Sequence, residues 1–422
     1  MKFLFYCLVL FAAFSCNNKP IVSKVFVDSL VTHYTASSFA VTIEKDLEFW
    51  KSRVDKRPGD VVSLQKYASA LASRFHVYGD INDLKKADSI MTAIVGLYHD
   101  PGPSLSLAGY KMLQHQFSNA RAYIGTVAEM NTEKYATQMM LFDADFEMGD
   151  IYHASLILRN NNLPNEYGFN FRQSKLDHNM GELKASIQHM LRAAELSGSS
   201  AYLRTAALSN AADLYVHDGE LEKAAALYKQ CIQHNSCDFH SMMGLGWISL
   251  VHDKNEKLAN EIFSFVKTKM KSPDPLLKLS QVAELNNSSL AKKYAVQFIE
   301  QATHPAYGNM YNKYLIQLYT EILDNPAAAL ETAQKEIHNR STSQTCVWLA
   351  WCLFKNGKEK EAYRVYEEHV SGKALEALEL YWMGKMMKGL GKGYNAEQFF
   401  KAAEKNKYDL SLSERKDLEE NL

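Results

Sequence analysis

The sequence has few prolines and almost no net charge, and both shortages restrict the class of protein it can encode. Only nine prolines occur in 422 residues, and no long stretch alternates apolar with polar residues. Helices are therefore expected and strands are not. The 47 basic and 48 acidic residues leave a net charge of −1. Because no basic field would attract phosphates, a nucleic-acid partner is not expected.

Motifs of catalysis and metal binding are missing as well. The chain has no phosphate-binding Gly-Lys-Ser/Thr loop, no His-Glu-x-x-His and no Gly-x-Ser-x-Gly. The pair His217-Asp218 recurs as His252-Asp253. Two turns that favour the same polar residues explain this recurrence better than a shared metal does. We therefore predict a protein that is not an enzyme and that uses no cofactor or metal.

The six cysteines form no metal or redox motif, because no Cys-x-x-Cys occurs and no Cys/His cluster has zinc spacing. Cys346 and Cys352 fall on different faces of one predicted helix, about 9 Å apart along its axis, which is too far for a disulfide. Cys231 and Cys237 could form a local disulfide. Burial as small apolar side chains is the preferred interpretation for all four.

One long apolar run is present, and it lies at the N-terminus. Residues 3–14 are uniformly apolar, follow Met1-Lys2 and end at Ser15-Cys16. A single positive charge, a short apolar run and small residues at its end are typical of a secretory signal peptide, here residues 1–15. The run is too short to span a bilayer stably. The sequence therefore predicts export.

Cys16 resembles the acceptor residue of a bacterial lipoprotein signal, because it directly follows a small residue at the end of the apolar run. The resemblance implies a lipid anchor on Cys16 and a location in the cell envelope, with the outer membrane as the expected site. Plain secretion remains the alternative. Residues 16–40 are polar and β-branched without a period, and are interpreted as the lipidated N-terminus and a linker.

Further along, a small residue recurs at 34-residue intervals, and Ala often follows it twelve residues later. The pairs are Ala212/Ala224, Ala350/Ala362 and Gly384/Ala396, with Gly246/Ala259 one residue longer. These spacings resemble the tetratricopeptide repeat, in which each unit is two antiparallel helices with small residues where they touch. The resemblance implies an all-α fold, an α-solenoid whose stacked helix pairs form a right-handed superhelix.

Weaker matches divide the rest of the chain. Degenerate repeats are predicted for residues 41–159 and clearer repeats for 183–409. Between them, residues 160–182 contain Pro164 and several aromatic residues without a period, and are predicted to be an irregular insert loop. The sequence from Glu182 to Glu195 is helical but has no evident repeat partner. Residues 410–422 are expected to be a tail or a short capping helix.

In the family that these repeats resemble, the first helix of each unit lines a concave groove. Its register implies a partner-binding groove formed by Met139, Asp143, Phe146, Asp213, Met243, Trp247, Val347, Trp351, Phe354, Tyr381 and Lys385. Trp247 and Trp351 occupy the same register position. Exposed aromatic side chains there would favour an extended peptide or another apolar partner. The two indoles could equally fill the space between neighbouring first helices.

The resemblances together predict a non-catalytic scaffold lipoprotein that mediates protein–protein interaction at the bacterial cell envelope. Its partner would be an envelope protein or an exported peptide. The alternative is a nutrient- or glycan-binding outer-membrane lipoprotein of the starch-utilisation type. Such proteins interrupt their repeats with a large ligand-binding insert, and only residues 160–180 could take that part here.

Overall fold

The computed structural model describes residues 19–132 and 134–422, which are helical almost throughout. These residues form 23 α-helices and two 3₁₀ turns, with no β-strand among them. The predicted all-α class is confirmed. Residues 1–15 and Cys16, which carry the export and lipidation predictions, lie outside the described residues. Within the described ranges, no helix combines the length and apolar character needed to cross a membrane.

Ten consecutive helix pairs, from α3/α4 to α21/α22, make up the body of the described chain. The helices are α1 Lys24–Thr32, α2 Ser38–Lys56, α3 Val61–Tyr78, α4 Ile81–Tyr98, α5 Pro101–Leu113, α6 Phe117–Glu129, α7 Lys134–Met148, α8 Ile151–Asn160, α9 Tyr167–Asn179, α10 Leu183–Glu195, α11 Ala201–His217, α12 Leu221–His234, α13 Phe239–Val251, α14 Glu256–Lys269, α15 Asp274–Ala283, α16 Ser288–Ala302, α17 Asn312–Glu321, α18 Pro326–Asn339, α19 Ser343–Lys355, α20 Glu359–His369, α21 Ala377–Leu390, α22 Glu397–Lys405 and α23 Leu412–Asn421. The 3₁₀ turns are Pro305–Tyr307 and Lys407–Asp409.

Small residues allow the two helices of a unit to approach closely. Ala212 and Ala224 are both fully buried. At Gly246, an added Cβ would lie 2.6 Å from the ring of Phe263. At Gly384 it would lie 2.5 Å from the ring on the second helix of that unit. The ring of one helix therefore packs directly on the backbone of the other, at the density of a protein interior.

The side chain nearest each glycine lies about one helical turn beyond the predicted small partner. Ala259 and Ala396 are the partners that the 34-residue pattern predicts. The side chains in contact are Phe263 and Phe400, each four residues further on. Four residues are about one helical turn, so the contact stays on the same helix face. Ala396 itself precedes α22, which begins at Glu397.

Successive turns of the superhelix touch each other. Hydrogen bonds join residues 201, 191, 193 and 189 positions apart, namely Ser236 to Thr35, Lys271 to Asp80, Arg340 to Glu147 and Asn406 to His217. Because the separation is nearly constant, one superhelical turn takes about 190 residues, or between five and six pairs of about 34 residues. At Gly149, where φ is 91°, a side chain would meet the Ser341 carbonyl oxygen at 2.7 Å.

The prediction of an irregular loop over 160–182 is wrong for most of its length. Tyr167–Asn179 forms α9, and α9 packs along α10, the helix for which the sequence offers no partner. Ser174 and Ser186 are hydrogen-bonded to each other across this pair. The stretch continues the array, so it does not provide the insert on which the glycan-binding alternative depends.

The predicted linker is also packed over much of its length. The backbone N–H groups of Ile21 and Val22 each donate to the Asp253 carboxylate at 2.9 Å. Val22 and Val27 are buried, and α1 packs against α14. Asp253, one member of the repeated His-Asp pair, therefore holds the start of the folded chain. Only residues before Ile21 are left for a linker.

Candidate functional site

The C-terminal segment, residues 406–421, lies across the first helices of several units and defines the candidate site. It consists of the 3₁₀ turn Lys407–Asp409 and α23. A capping box between Ser411 and Glu414 starts α23, because each side chain accepts a hydrogen bond from the other residue's backbone N–H. Leu410 and Leu418 are fully buried. We call the helix faces that contact this segment, on α11, α13, α17 and α21 and at the end of α15, the docking face.

Trp247 on α13 binds the backbone of the segment. Its indole N–H donates to the Tyr408 carbonyl oxygen at 2.7 Å, and the side chain is only 8% exposed. Lys278 Nζ lies 3.7 Å from the centroid of the indole ring, which is cation–π distance. Arg415 of the segment donates to the Val251 carbonyl oxygen and lies over the Tyr408 ring. One indole thus joins the docking face to the segment.

His217 at the end of α11 binds the start of the segment. Its Nδ1 lies 2.8 Å from an Asp409 carboxylate oxygen, and its backbone carbonyl accepts from Asn406. Burial lowers the pKa of His217, but Asp409 and then Glu376 outweigh it and raise this pKa to about 9. The imidazole is therefore protonated at neutral pH. The neighbouring His178 ring, 5.3 Å away, has a lowered pKa through burial and the His217 charge.

Glu284, just after α15, binds the middle of the segment. Its carboxylate accepts from the hydroxyls of Ser411, at 3.0 Å, and Ser413. Burial first, and the adjacent Glu414 second, raise the pKa of Glu284 to about 8. The Glu414 carboxylate accepts in turn from the Gln317 amide at 2.7 Å. Two acidic side chains thus meet where the segment docks.

Tyr381 and Lys385 on α21 bind the end of the segment. The Tyr381 hydroxyl donates to Asp417 at 2.6 Å, and Lys385 Nζ lies 3.4 Å from the same carboxylate. Lys388 Nζ donates to the Asn421 side chain at 2.6 Å. A cavity of about 190 Å³ remains between α23 and the docking face, lined by carboxylates and by aliphatic side chains of α15 and α17.

A larger cavity of about 510 Å³ lies beside the first residues of the segment, where two superhelical turns meet. Three of its charged groups form ion pairs: Glu147 Oε1 lies 3.0 Å from Lys175 Nζ, and Glu147 Oε2 lies 3.4 Å from Arg340 Nη1. In residues 19–132 and 134–422, no three His, Cys, Asp or Glu side chains are grouped as metal ligands. The carboxylates of both cavities act as acceptors and ion-pair partners, which suits binding.

Three of the predicted groove residues contact the segment: Trp247, Tyr381 and Lys385. Asp213 instead accepts from Tyr228 at 2.5 Å and lies 2.9 Å from His240 Nε2. This ion pair raises the pKa of His240 to about 9, with Asp213 as the main cause. Met243 is half-buried against the core around α13.

The other predicted groove residues face neighbouring helices. Trp351 and Val347 are 1% and 0% exposed, so the prediction that they are open to a partner is wrong, and the packing interpretation holds for Trp351. The Phe354 ring stacks on Trp351 at 5.8 Å. The remaining three lie on α7: Met139 is buried, Asp143 pairs with Arg172 at 2.5 Å, and Phe146 lines the larger cavity.

Sequence reasoning missed Glu284 and Gln317, although the register contained the signal. Each directly follows the small or apolar residue that marks its unit, Ala283 or Ile316. Trp247 and Lys385 stand in the same place after their glycines. Reading that register position in every unit would have found both residues.

Cys231 and Cys237 are free, buried thiols, as the preferred interpretation of the sequence predicts. Cys237 Sγ lies 3.2 Å from the Tyr34 hydroxyl.

Stability is expected to fall as the pH rises from 6.5 to 8. Glu284 has a folded-state pKa of about 8, above its usual value near 4.5, so its protonated form is favoured in the folded state. The free energy of unfolding therefore decreases as the pH rises toward 8. The stabilisation from protonated His217 is complete below pH 6.5 and is lost as pH rises through about 9. Thermal unfolding at both pH values measures the fall.

Glu284→Gln should flatten this pH dependence, because the amide stays neutral and can still accept a hydrogen bond. Glu331→Gln is the matched control, since Glu331 forms an exposed ion pair with Lys335 on α18. The control should keep the wild-type slope. An equally steep fall in Glu284→Gln would contradict the assignment.

Comparison of the sequence with known protein families found no match, and comparison with curated proteins found none either. Solved structures do match. A chain of the APC/C hetero-tetramer Cut9–Hcn1 aligns with a TM-score of 0.51 and 13% identity, over 90% of this chain and 68% of that chain. Human IFIT1, solved as a dimer with PPP-AAAA, aligns with a TM-score of 0.45 and 12% identity, over 81% and 92%.

A tetratricopeptide repeat protein from Parabacteroides merdae aligns with a TM-score of 0.35 and 16% identity, over 64% of this chain and 98% of that chain. At these identities the likeness concerns the fold. The Cut9–Hcn1 alignment extends over nearly the whole chain and agrees with the ten stacked helix pairs. The chain is thus an all-α solenoid of tetratricopeptide-like repeats.

Proposed function

We propose that this protein is a non-catalytic scaffold that binds a protein partner through the docking face. The observation that carries the proposal is that this face already holds a peptide segment, through a backbone carbonyl at Trp247 and a carboxylate at Tyr381. Stacked helix pairs present extended concave surfaces of the kind that bind other proteins. The partner would be an envelope protein or an exported peptide.

We also propose that Cys16 carries lipid and anchors the solenoid in the bacterial cell envelope, at the outer membrane. The support is the signal-like sequence before Cys16, together with the position of Ile21, which Asp253 holds to the folded body. Five residue steps separate Cys16 from Ile21, so the tether spans at most about 18 Å. A tether of this length would keep the solenoid close to the lipid surface.

Photocrosslinking in the native membrane tests the partner proposal. A benzophenone amino acid replaces Lys388, which is exposed beside the end of the segment, or Lys401, which is exposed on the second helix of the same unit. We expect a discrete crosslinked protein from position 388 and none from position 401. Equal yields from the two positions, or no product at 388, would count against the proposal.

Metabolic labelling with an alkyne fatty acid tests the anchor. Label should enter the wild-type protein and be absent from Cys16→Ser. Cys7→Ser changes the other cysteine of the signal region and should keep the label. Label that persists in Cys16→Ser, or that never enters the wild type, would refute the anchor and leave the partner proposal standing.

A further inference from the structure

The C-terminal segment is bound by two buried leucines and by many polar contacts, and the polar contacts are ones that water or another chain could replace. Its fully buried apolar side chains are Leu410 and Leu418. Hydrogen bonds such as the one from Trp247 to the Tyr408 carbonyl contribute little net free energy, because both partners also bond to water. α23 has ten residues, and a helix of that length is marginal alone in water. Docking and helix formation in the segment are therefore coupled.

Docking also brings acidic side chains together. Glu414 of the segment comes next to Glu284 of the docking face, and both line the 190 Å³ cavity with Glu321 and Asp417. Lys385 supplies the positive charge in that lining. Release of the segment would separate Glu414 from Glu284 and expose Glu284 to water, so that Glu284 could ionise at neutral pH. The segment is thus held with less than full electrostatic complementarity, as a displaceable occupant would be.

We propose that the docking face is a peptide-binding site which the C-terminal segment occupies in cis, and that a partner binds by replacing it with a segment of the same chemistry. That chemistry is an aromatic residue, hydroxyls three and five positions later, and a carboxylate nine positions later, as in Tyr408, Ser411, Ser413 and Asp417. The identity of the partner segment rests on the proposed function. Occupation in cis does not.

Four side chains of the docking face bind the elements of this pattern. The Trp247 indole binds the carbonyl of the aromatic residue. The Glu284 carboxylate accepts from both hydroxyls. Tyr381 and Lys385 together bind the carboxylate. A peptide with a lysine in place of the last carboxylate would set two ammonium groups against each other, so it should be rejected.

Occupation in cis lowers the affinity that the intact protein shows. A tethered ligand acts at an effective concentration near the millimolar range when its linker is short. If the site is open for only 1–10% of the time, the apparent affinity for a free peptide falls by about 10–100-fold. Substitutions that weaken docking of the segment, and leave the docking face unchanged, should restore the lost affinity.

The test uses a fluorescein-labelled synthetic peptide with the sequence of residues 406–422 and the full chain. The released variant carries Asp409→Asn, Arg415→Ala and Asp417→Ala, all on the segment. We expect it to bind the peptide at least tenfold more tightly than the wild type does, by fluorescence anisotropy. A scrambled peptide of the same composition should bind neither protein. Far-UV circular dichroism checks that the released variant keeps its helical content.

A charge exchange makes the test specific to Lys385. In the released variant, Lys385→Glu should weaken binding of the peptide tenfold or more. A peptide carrying Asp417→Lys should then recover most of that loss, because the two charges have changed places. Equal binding of both peptides by this variant, or a folded released variant that binds no better than the wild type, would overturn the proposal.

The outcomes separate this proposal from the scaffold function. The peptide assay contains no native partner. Peptide binding without a crosslinked protein at position 388 would therefore contradict the scaffold function alone. A crosslinked partner, together with no increase in the peptide affinity of the released variant, would contradict the occupation in cis alone.

Discussion

Trp351→Ala is expected to lower the free energy of unfolding by about 3–5 kcal/mol, the usual cost of deleting a fully buried aromatic side chain. The indole is 1% exposed and stacks on Trp382 with ring centroids 5.8 Å apart. Its N–H donates to the Thr320 hydroxyl at 3.2 Å. Truncation would leave a cavity between α17, α19 and α21 and a hydroxyl without its donor. Urea unfolding followed by circular dichroism measures the loss.

Trp351→Phe should cost less, because a ring still fills most of the space. Trp50→Ala is a second control, since Trp50 on α2 is only half-buried and should lose less than Trp351 does. In an array whose units contact mainly their neighbours, the unfolding curve of Trp351→Ala should broaden as the C-terminal units melt first. A loss below about 1 kcal/mol would mean that the site collapses around the missing ring.

A tryptophan substitution in the predicted groove can therefore act through packing and not through a partner. The sequence register places Trp247 and Trp351 at one position of their units, and it cannot tell which of the two side chains is covered by which element. Trp351 is enclosed because the neighbouring unit presents Trp382 to it. Trp247 is covered by the C-terminal segment, about 160 residues away along the chain. Such distant contacts leave no local pattern in the sequence.

The helical class and the close approach at Gly246 and Gly384 were predictable, because 34-residue spacing and missing side chains are local signals. The winding of the superhelix was not. It depends on small rotations between successive units, and a contact such as Gly149 with Ser341 becomes visible only once a full turn is complete. Fold class thus follows from spacing, whereas occupancy of the docking face requires three dimensions.

The misread loop has a different cause. α9 buries Asn170, Ser174 and Asp177 beside its apolar residues, so no apolar period appears. Each polar group is satisfied instead: the Asp177 carboxylate lies 2.6 Å from His189 Nδ1, and the Asn170 amide donates to backbone carbonyls. A helix stabilised by buried hydrogen bonds is hard to recognise from hydrophobic periodicity alone.

Lys313→Met is expected to destabilise the protein by about 3–5 kcal/mol at neutral pH, because it leaves a buried carboxylate without its cation. Lys313 Nζ lies 3.0 Å from Glu376 Oε2 and 3.1 Å from Glu379 Oε1. Glu379 is 0% exposed, and its Oε1 also accepts from the Trp348 indole at 2.9 Å. Methionine fills a similar volume, so the loss reports on the charge. Urea unfolding at pH 7 measures it.

The dependence of stability on pH below 4.5 gives an independent check. Lys313 is the main cause that holds the pKa of Glu376 down at about 2. A depressed carboxyl pKa stabilises the folded state above the usual value near 4.5, and that stabilisation is lost as pH falls toward 2. The gap between the wild type and Lys313→Met should therefore narrow on acidification below pH 4.5.

Two further variants separate charge from packing. Lys335→Met removes a closer ion pair, in which Lys335 Nζ lies 2.7 Å from Glu331 Oε1 and both side chains are mostly exposed, and it should change stability little. Lys313→Met combined with Glu379→Gln should recover part of the loss, since a neutral amide tolerates burial without a cation. If the double variant is as unstable as Lys313→Met, the unpaired Glu379 carboxylate does not set the cost.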